Sequence, residues 1–122
     1  MFDVVSHAVI GAAIEVHRAL GPGLLESFYE RALAHELGLR GLGFARQVDL
    51  PARYKDVDLG CGYRLDLIVE SAVIVEIKAV QQVLPVHRSQ LLTYMRVGGY
   101  GIGLLLNFHS ATMKDGIVRM VR

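Results

Sequence analysis

The sequence has little cysteine, no long apolar run and no excess of charge, and each shortage narrows the class of protein. Cys61 is the only cysteine among 122 residues. It cannot form an internal disulfide, which fits a reducing compartment, and we expect it in the core. No apolar run reaches the roughly 20 residues of a membrane span, and no basic leader with a cleavage site opens the chain. We therefore expect a soluble, cytoplasmic protein without a membrane partner.

The net charge is small, because 13 basic residues face 12 acidic ones and leave +1. Composition alone therefore gives no electrostatic footprint for nucleic acid. Ten of the 13 cations are arginine, the residue best suited to bidentate phosphate contact. A GC-rich genome produces the same enrichment, so arginine content does not decide the question.

Apolar side chains are abundant, at 52 % of the sequence against 20 % charged residues. A chain of this length suits one hydrophobic core and is short for two, so we expect residues 1–122 to form a single domain. The apolar fraction exceeds what a monomer of this size needs. We therefore expect a homo-oligomer, with a dimer favoured.

Apolar periodicity and turn residues predict an α/β fold in the order α-α-β-β-β-α-β-β. Helical spacing predicts helices at 3–20, 24–40 and 86–97, each ended by glycine or proline. Runs rich in β-branched residues predict strands at 44–54, 62–69, 73–80, 101–108 and 116–121. Pro51 implies an edge position or a bulge in the first strand. The glycines of 98–103 lie between a helix and a following strand, the reverse of a dinucleotide fingerprint, and indicate a helix stop and a close strand approach.

The second and third strands form the hairpin that carries the candidate chemistry. Residues two apart on a strand share a face, so Glu76 and Lys78 point the same way. If Val69 and Val73 form the last pair of the hairpin, Asp66 lies opposite Glu76, with β-carbons about 4.5 to 5.5 Å apart. Two carboxylates this close repel and lose solvation, an arrangement that a hard cation such as magnesium makes reasonable. Lys78 would then position or deprotonate a water and neutralise charge on a phosphate.

A solvated hairpin face explains the same residues without any chemistry. The flanking residues favour a functional site, because the hairpin is apolar on both faces and charged side chains are rarely buried among apolar ones without a partner. Glu26 shares a helix face with Tyr29 and Glu30 and would add a carboxylate, although a first-turn acid also suits the helix dipole. On the third helix Gln90 and Tyr94 share a face, and His87 lies one turn earlier. These side chains would hold water or phosphate, or serve a structural role.

Residues 23–29 (GLLESFY) resemble the signature after which the GxxExxY proteins are named. The resemblance covers nearly the whole chain through four further segments, which are 11–17 (GAAIEVH), 62–66 (GYRLD), 75–79 (VEIKA) and 90–94 (QLLTY). That family is assigned to the PD-(D/E)xK nuclease-like superfamily. The resemblance therefore implies a restriction-endonuclease-like core with a mixed central sheet flanked by helices.

The resemblance also implies a role for each matching residue. Glu26 would be the helix acid and would bind Mg²⁺ or Mn²⁺ together with Asp66 and Glu76. Lys78 would assist the nucleophilic water, and Gln90 would support the site.

The leading hypothesis is a metal-dependent nuclease acting on nucleic acid, with DNA favoured. Substrate phosphates would meet Arg64, Arg88 or Arg96, among which the sequence does not choose. The alternative is a non-catalytic module that binds nucleic acid or protein and keeps the nuclease fold, because superfamily members that bind without cutting exist. Leu65 replaces the proline of the superfamily's name, a departure that affects no ligand. No histidine pair has the spacing of zinc ligands.

Overall fold

The computed structural model describes residues 3–122, so the first two residues of the expected domain lie outside it. The order of helices and strands agrees with the sequence prediction and confirms the α/β class. The helices are α1 (Val4–Leu20), α2 (Glu26–Leu39) and α3 (Pro85–Gly98). The strands are β1 (Phe44–Tyr54), β2 (Val57–Val69), β3 (Val73–Lys78), β4 (Ile102–Asn107) and β5 (Ile117–Val121). A short 3-10 turn, Lys114–Gly116, precedes the last strand.

The five strands form one mixed sheet in the order β1-β2-β3-β4-β5. Neighbouring strands are antiparallel except β3 and β4, which are parallel. A parallel pair needs a crossover, and α3 provides it between these two strands. The expected irregularity near Pro51 is present, because the β1–β2 register shifts between Leu50 and Pro51.

Two apolar clusters lie on opposite faces of the sheet. Helices α1 and α2 cover one face, where side chains such as Val9 and Leu33 pack with Val75 and Leu104. Helix α3 covers the other face, where Leu91 and Met95 pack with Ile74 and Leu105. The central strands β3 and β4 are consequently buried on both sides, which explains their nearly continuous apolar sequence.

Local signals set the ends of the helices. Asp3 accepts a hydrogen bond from the backbone N–H of Ser6 at 2.7 Å and caps α1, as first-turn geometry requires. Gly99, with φ of 78°, ends α3 in the left-handed conformation that glycine adopts without steric cost. Within residues 3–122, the structure has no helix that is both long and apolar enough to cross a membrane.

The expected start of β2 at residue 62 and the expected burial of Cys61 are wrong. β2 begins at Val57, because β1 and β2 continue beyond the β2–β3 ladder as a two-stranded ribbon that closes at the Tyr54–Val57 pair. Cys61 lies in this ribbon and is exposed. Backbone pairing, rather than apolar burial, extends the strand here, and hydrophobic patterning does not register it.

Candidate functional site

The β2–β3 ladder ends immediately before two acidic residues. Its pairs begin at Val69 and Val73, which confirms the register assumed from the sequence. Asp66 and Glu76 occupy the position of the next pair, which the ladder does not include. Beyond this point β2 pairs only with β1, while β3 continues along β4. The two acidic residues therefore stand at a fork between neighbouring strands.

Side chains replace the missing backbone bonds at this fork. The backbone N–H of Asp66 donates to Oε2 of Glu76 at 2.9 Å. The backbone N–H of Ile77 donates to Oδ2 of Asp66 at 2.8 Å. One oxygen of each carboxylate is thus held by the backbone of the other strand, and these bonds fix both carboxylates in place.

β2 changes face at Asp66. Leu65 packs in the cluster under α3, whereas Leu67 packs in the cluster under α1 and α2. In a regular strand these two residues would share a face. β1 is distorted at the same level, because Gln47, between the partners of Leu65 and Leu67, has φ of 50°. Asp66 therefore lies at the point where the side chains of β2 switch from one helical layer to the other.

Burial gives Glu76 an unusually high pKa. Its side chain is only 3 % exposed, and desolvation, reinforced by the charge of Asp66, raises its pKa from 4.5 to about 7. The hydrogen bond from the Asp66 backbone N–H opposes this change most, followed by a hydrogen bond from Tyr63 and the charge of Lys78. Burial also raises the pKa of Asp66, although the Ile77 N–H counteracts it. Ionising both carboxyl groups is therefore costly, and the surrounding residues offset that cost only in part.

Lys78 lies on the same strand as Glu76, two residues later, and is half-buried. Its charge acts on both carboxyl groups and lowers the pKa of each. Glu76 faces the α3 side with Ile74, while Val75 packs on the other side of the sheet. The alternation inferred for β3 is therefore confirmed. The charge of Lys78 is close enough to act on both carboxyl groups.

Helix α2 brings Glu26 and Tyr29 to different places. Glu26 is the first residue of α2, is exposed, and its charge raises the pKa of Asp66. Tyr29 is fully buried and stacks on Phe108 with 4.6 Å between ring centroids. Its hydroxyl donates to the Gly21 carbonyl at 2.6 Å and accepts from the Leu24 N–H at 3.0 Å. Tyr29 therefore holds the loop that starts α2 and has no direct access to substrate.

The sequence pattern assigns no role to Glu30, yet its charge affects Asp66 more than that of Glu26 does. Glu30 is buried. Its carboxylate accepts from Arg46 Nε at 3.1 Å and from Gln47 Nε2 at 2.7 Å. Its spacing of four residues places it on the same face of α2 as Glu26, but that spacing alone assigns it no role. These hydrogen bonds connect α2 to β1 at the level where β1 and β2 are irregular.

Two tyrosines pack beside Glu76 on the α3 side. Tyr94 stacks on Tyr63 with 4.1 Å between ring centroids. Burial, followed by the charge of Glu76, raises the pKa of both phenols, so both remain protonated donors at neutral pH. The α3 periodicity identifies Tyr94 from sequence. The sequence does not predict that Tyr63 lies beside Glu76, because β2 changes face at Asp66 and regular strand spacing no longer applies across that residue.

Within residues 3–122, the other candidates from α3 and β2 make no hydrogen bond to the two carboxylates. Nδ1 of His87 accepts from the Leu84 N–H at 3.0 Å and caps the start of α3. Gln90 is exposed, and within residues 3–122 it makes no hydrogen bond to Asp66 or Glu76. Arg64 forms an exposed ion pair with Asp49 on β1, with Nε and Oδ1 3.0 Å apart.

A comparison with protein-family models matches residues 3–120 to the PD-(D/E)XK nuclease superfamily. The chain belongs to that superfamily. Comparisons with curated proteins and with solved structures gave no match. The PD-(D/E)XK membership agrees with the mixed sheet, the flanking helices and the element order.

PD-(D/E)XK nucleases generally use divalent metals, and the residues at the fork are suited to one. In the described part of the chain, no three His, Cys, Asp or Glu side chains converge as a metal site. Within residues 3–122, Asp66 and Glu76 converge as a pair of carboxylates, and Glu26 does not join them as a third ligand. Magnesium is usually held by one or two carboxylates, with water and substrate phosphate completing its shell. The carboxylate pair fits that pattern, because one oxygen of each group remains beside the oxygen bound by the backbone.

Proposed function

We propose that this chain is a metal-dependent nuclease that hydrolyses phosphodiester bonds of nucleic acid, with DNA as the favoured substrate. The observation that carries the proposal is the reciprocal backbone binding of Asp66 and Glu76 beside Lys78. A buried pair of like charges is costly without a compensating cation. Membership of the PD-(D/E)XK superfamily supports the same conclusion.

In this proposal Asp66 and Glu76 hold Mg²⁺ or Mn²⁺ through the oxygens that the backbone leaves available. A cation bound there would polarise the scissile phosphate and offset the negative charge that develops on it. Lys78 orients the attacking water and stabilises the same charge from the other side. Attack of the water on phosphorus breaks the bond to the leaving oxygen, giving one strand end with a phosphate and one with a hydroxyl.

We also propose that the chain belongs to the GxxExxY group within the superfamily. Residues 23–29 then have a physical interpretation. Glu26 opens α2 with its charge close enough to affect Asp66, and Tyr29 holds the loop on which Glu26 depends. The signature would therefore preserve the placement of the helix acid. Glu26 and Gln90 would hold water or substrate at the rim of the pair.

Cleavage assays with single-stranded DNA, duplex DNA and RNA, in Mg²⁺ or Mn²⁺, test the proposal. Lys78→Ala should lower the rate about 100-fold or more and largely keep manganese affinity measured by calorimetry. Asp66→Asn should lose both. Lys114→Ala, which removes an exposed lysine from the turn before β5, is the matched control and should cut like wild type. Wild type that binds nucleic acid without cutting any of these substrates would establish the alternative, a non-catalytic binding module.

We further propose that residues 1–122 act as one nuclease domain and assemble as a homodimer. Large exposed apolar side chains, such as Leu25 at 68 % and Leu39 at 69 %, support self-association. Duplex cleavage on both strands would use one site from each copy. Light scattering after size exclusion should give twice the monomer mass of 13.4 kDa; a monomer at all concentrations would contradict the proposal.

A further inference from the structure

A pocket of about 180 Å³ lies on the α3 side of the sheet and is lined in part by the two tyrosines that pack beside Glu76. Ala52 on β1 and Gly62 on β2 line one side, and Thr93 and Val97 on α3 line the other. Thr93 and Val97 are exposed, so α3 leaves the mouth of this pocket open. Pockets for drug-sized ligands measure about 300 to 1,000 Å³. This volume suits a single flat heterocycle.

The two tyrosines connect this pocket to the carboxylate pair. Tyr63 and Tyr94 both line the pocket, and both interact electrostatically with Glu76. The rings of Tyr63 and Tyr94 stack on each other. A ligand would therefore pack against an outer face of the two stacked rings and not between them. Any group in the pocket therefore lies one side chain away from Glu76.

The lining chemistry matches a nucleobase. Aromatic rings offer a stacking surface that accepts every base, because each base has a π face. The hydroxyl of Thr93 can meet ring nitrogens and exocyclic groups, whereas the hydroxyls of Tyr63 and Tyr94 are engaged with Glu76 and with each other. Gly62 has no side chain that would occupy space beside Ala52, since a β-carbon at this position would lie 3.1 Å from that of Ala52. The pocket is otherwise apolar, as a base-binding pocket should be.

We propose that this pocket binds an unpaired nucleobase next to the scissile phosphate, so that the substrate is single-stranded nucleic acid or a strand with an extruded base. The inference rests on the proposed nuclease function, because Tyr63 and Tyr94 line the pocket and also border Glu76, so a base held there keeps its strand beside the carboxylate pair. A base inside an intact duplex cannot enter such a pocket without leaving the stack, which costs unstacking and unpairing energy. The enzyme should therefore prefer unpaired strands to fully paired ones.

The test measures binding of single-stranded oligonucleotides that carry 2-aminopurine at one position, in EDTA and in Ca²⁺. Val97→Trp fills the pocket from an exposed helical position. It should weaken binding at least about five-fold, the lower end of the effect of losing one stacked base, and should abolish the fluorescence change on binding. Leu92→Trp places the same side chain at another exposed position of α3 that does not line the pocket. It should bind like wild type.

An oligonucleotide with a single abasic site at the position next to the cleaved bond supplies a second measurement that needs no protein variant. Wild type should bind this abasic strand at least about five-fold more weakly than the intact strand. Wild type and Val97→Trp should bind the abasic strand with equal affinity. Equal binding by Val97→Trp and wild type, equal affinity for the abasic strand, or preference for duplex DNA would overturn the base pocket. Base-dependent binding without cleavage would contradict the nuclease proposal and leave the pocket standing, so the two failures are distinguishable.

Discussion

At the scale of single residues, Glu76 carries a large electrostatic cost that depends on pH. Below about pH 4.5 its carboxyl is protonated in both the folded and the unfolded chain and costs nothing. Between pH 4.5 and about 7 the unfolded chain loses the proton while the folded chain keeps it, so the free energy of unfolding falls as pH rises. Above about pH 7 the full cost, about 3 kcal/mol, is present.

Replacing this carboxyl should therefore stabilise the metal-free protein at high pH. Glu76→Gln keeps an oxygen that can accept from the Asp66 N–H and should raise the free energy of unfolding by about 3 kcal/mol at pH 8. The gain should vanish near pH 4. Urea denaturation in EDTA across this range measures it, with Asp56→Asn on the surface as a control. A gain that does not depend on pH would contradict the assignment.

Tyr29 offers a second test at the same scale, because its hydroxyl can be removed without its ring. Tyr29→Phe keeps the stacking on Phe108 and loses the bonds to Gly21 and Leu24. We expect a loss of about 1 to 3 kcal/mol in unfolding free energy and faster amide exchange at Leu24. Tyr54→Phe, at an exposed ring, should change stability by less than about 0.5 kcal/mol; a similar loss there would show that the loop bonds are not responsible.

At the scale of elements, the β2–β3 turn contains two non-glycine residues with positive φ, Glu70 at 54° and Ser71 at 52°. The left-handed conformation costs an L-residue roughly 1 kcal/mol, and glycine avoids the cost. Ser71→Gly should therefore raise the free energy of unfolding by about 0.5 to 1 kcal/mol. Ser89→Gly, the same change on the exposed face of α3, should lower it by about 0.5 kcal/mol. Chemical denaturation distinguishes the two signs, and a loss at both positions would contradict the turn argument.

The contact between α3 and β4 depends on a missing side chain at Gly103. A β-carbon there would lie 2.6 Å from Sδ of Met95 and 2.9 Å from Cδ1 of Leu91. Gly103→Ala should therefore push α3 away from the sheet, cost about 1 to 3 kcal/mol and shift the NMR signals of the Tyr94 ring. Gly101→Ala has open space around it and should be nearly neutral. Matching losses from both variants would exclude close packing as the cause.

At the scale of the whole molecule, a cation bound at the fork should stabilise the fold by mass action. At 100 times its dissociation constant, Mn²⁺ or Mg²⁺ should add about 2.7 kcal/mol to the free energy of unfolding. Affinity should rise between pH 6 and 8, because the ion competes with the proton that Glu76 holds up to about pH 7. Thermal melts at both pH values measure this. A shift that persists in Asp66→Asn would place the ion elsewhere.

The sequence predicts much of this architecture correctly, because its signals are local. The order of the elements follows from apolar periodicity and turn residues, and the pairing of Val69 with Val73 follows from a short turn between two apolar runs. Glu76 and Lys78 could be placed on one face from strand geometry alone. Cys61 could not be placed, because the ribbon that exposes it is formed by backbone hydrogen bonds that leave no apolar pattern.

The sequence by itself determined which residues carry charge within an apolar hairpin and how that hairpin is registered. Only the tertiary structure decided that β2 changes face at Asp66, that Glu30 is tied to Arg46, and that Tyr63 stacks on Tyr94. Strand alternation and helical periodicity extend over a few neighbouring residues. A distortion in a strand, in contrast, is selected by the packing of elements far apart in the chain, and a sequence pattern contains no record of it.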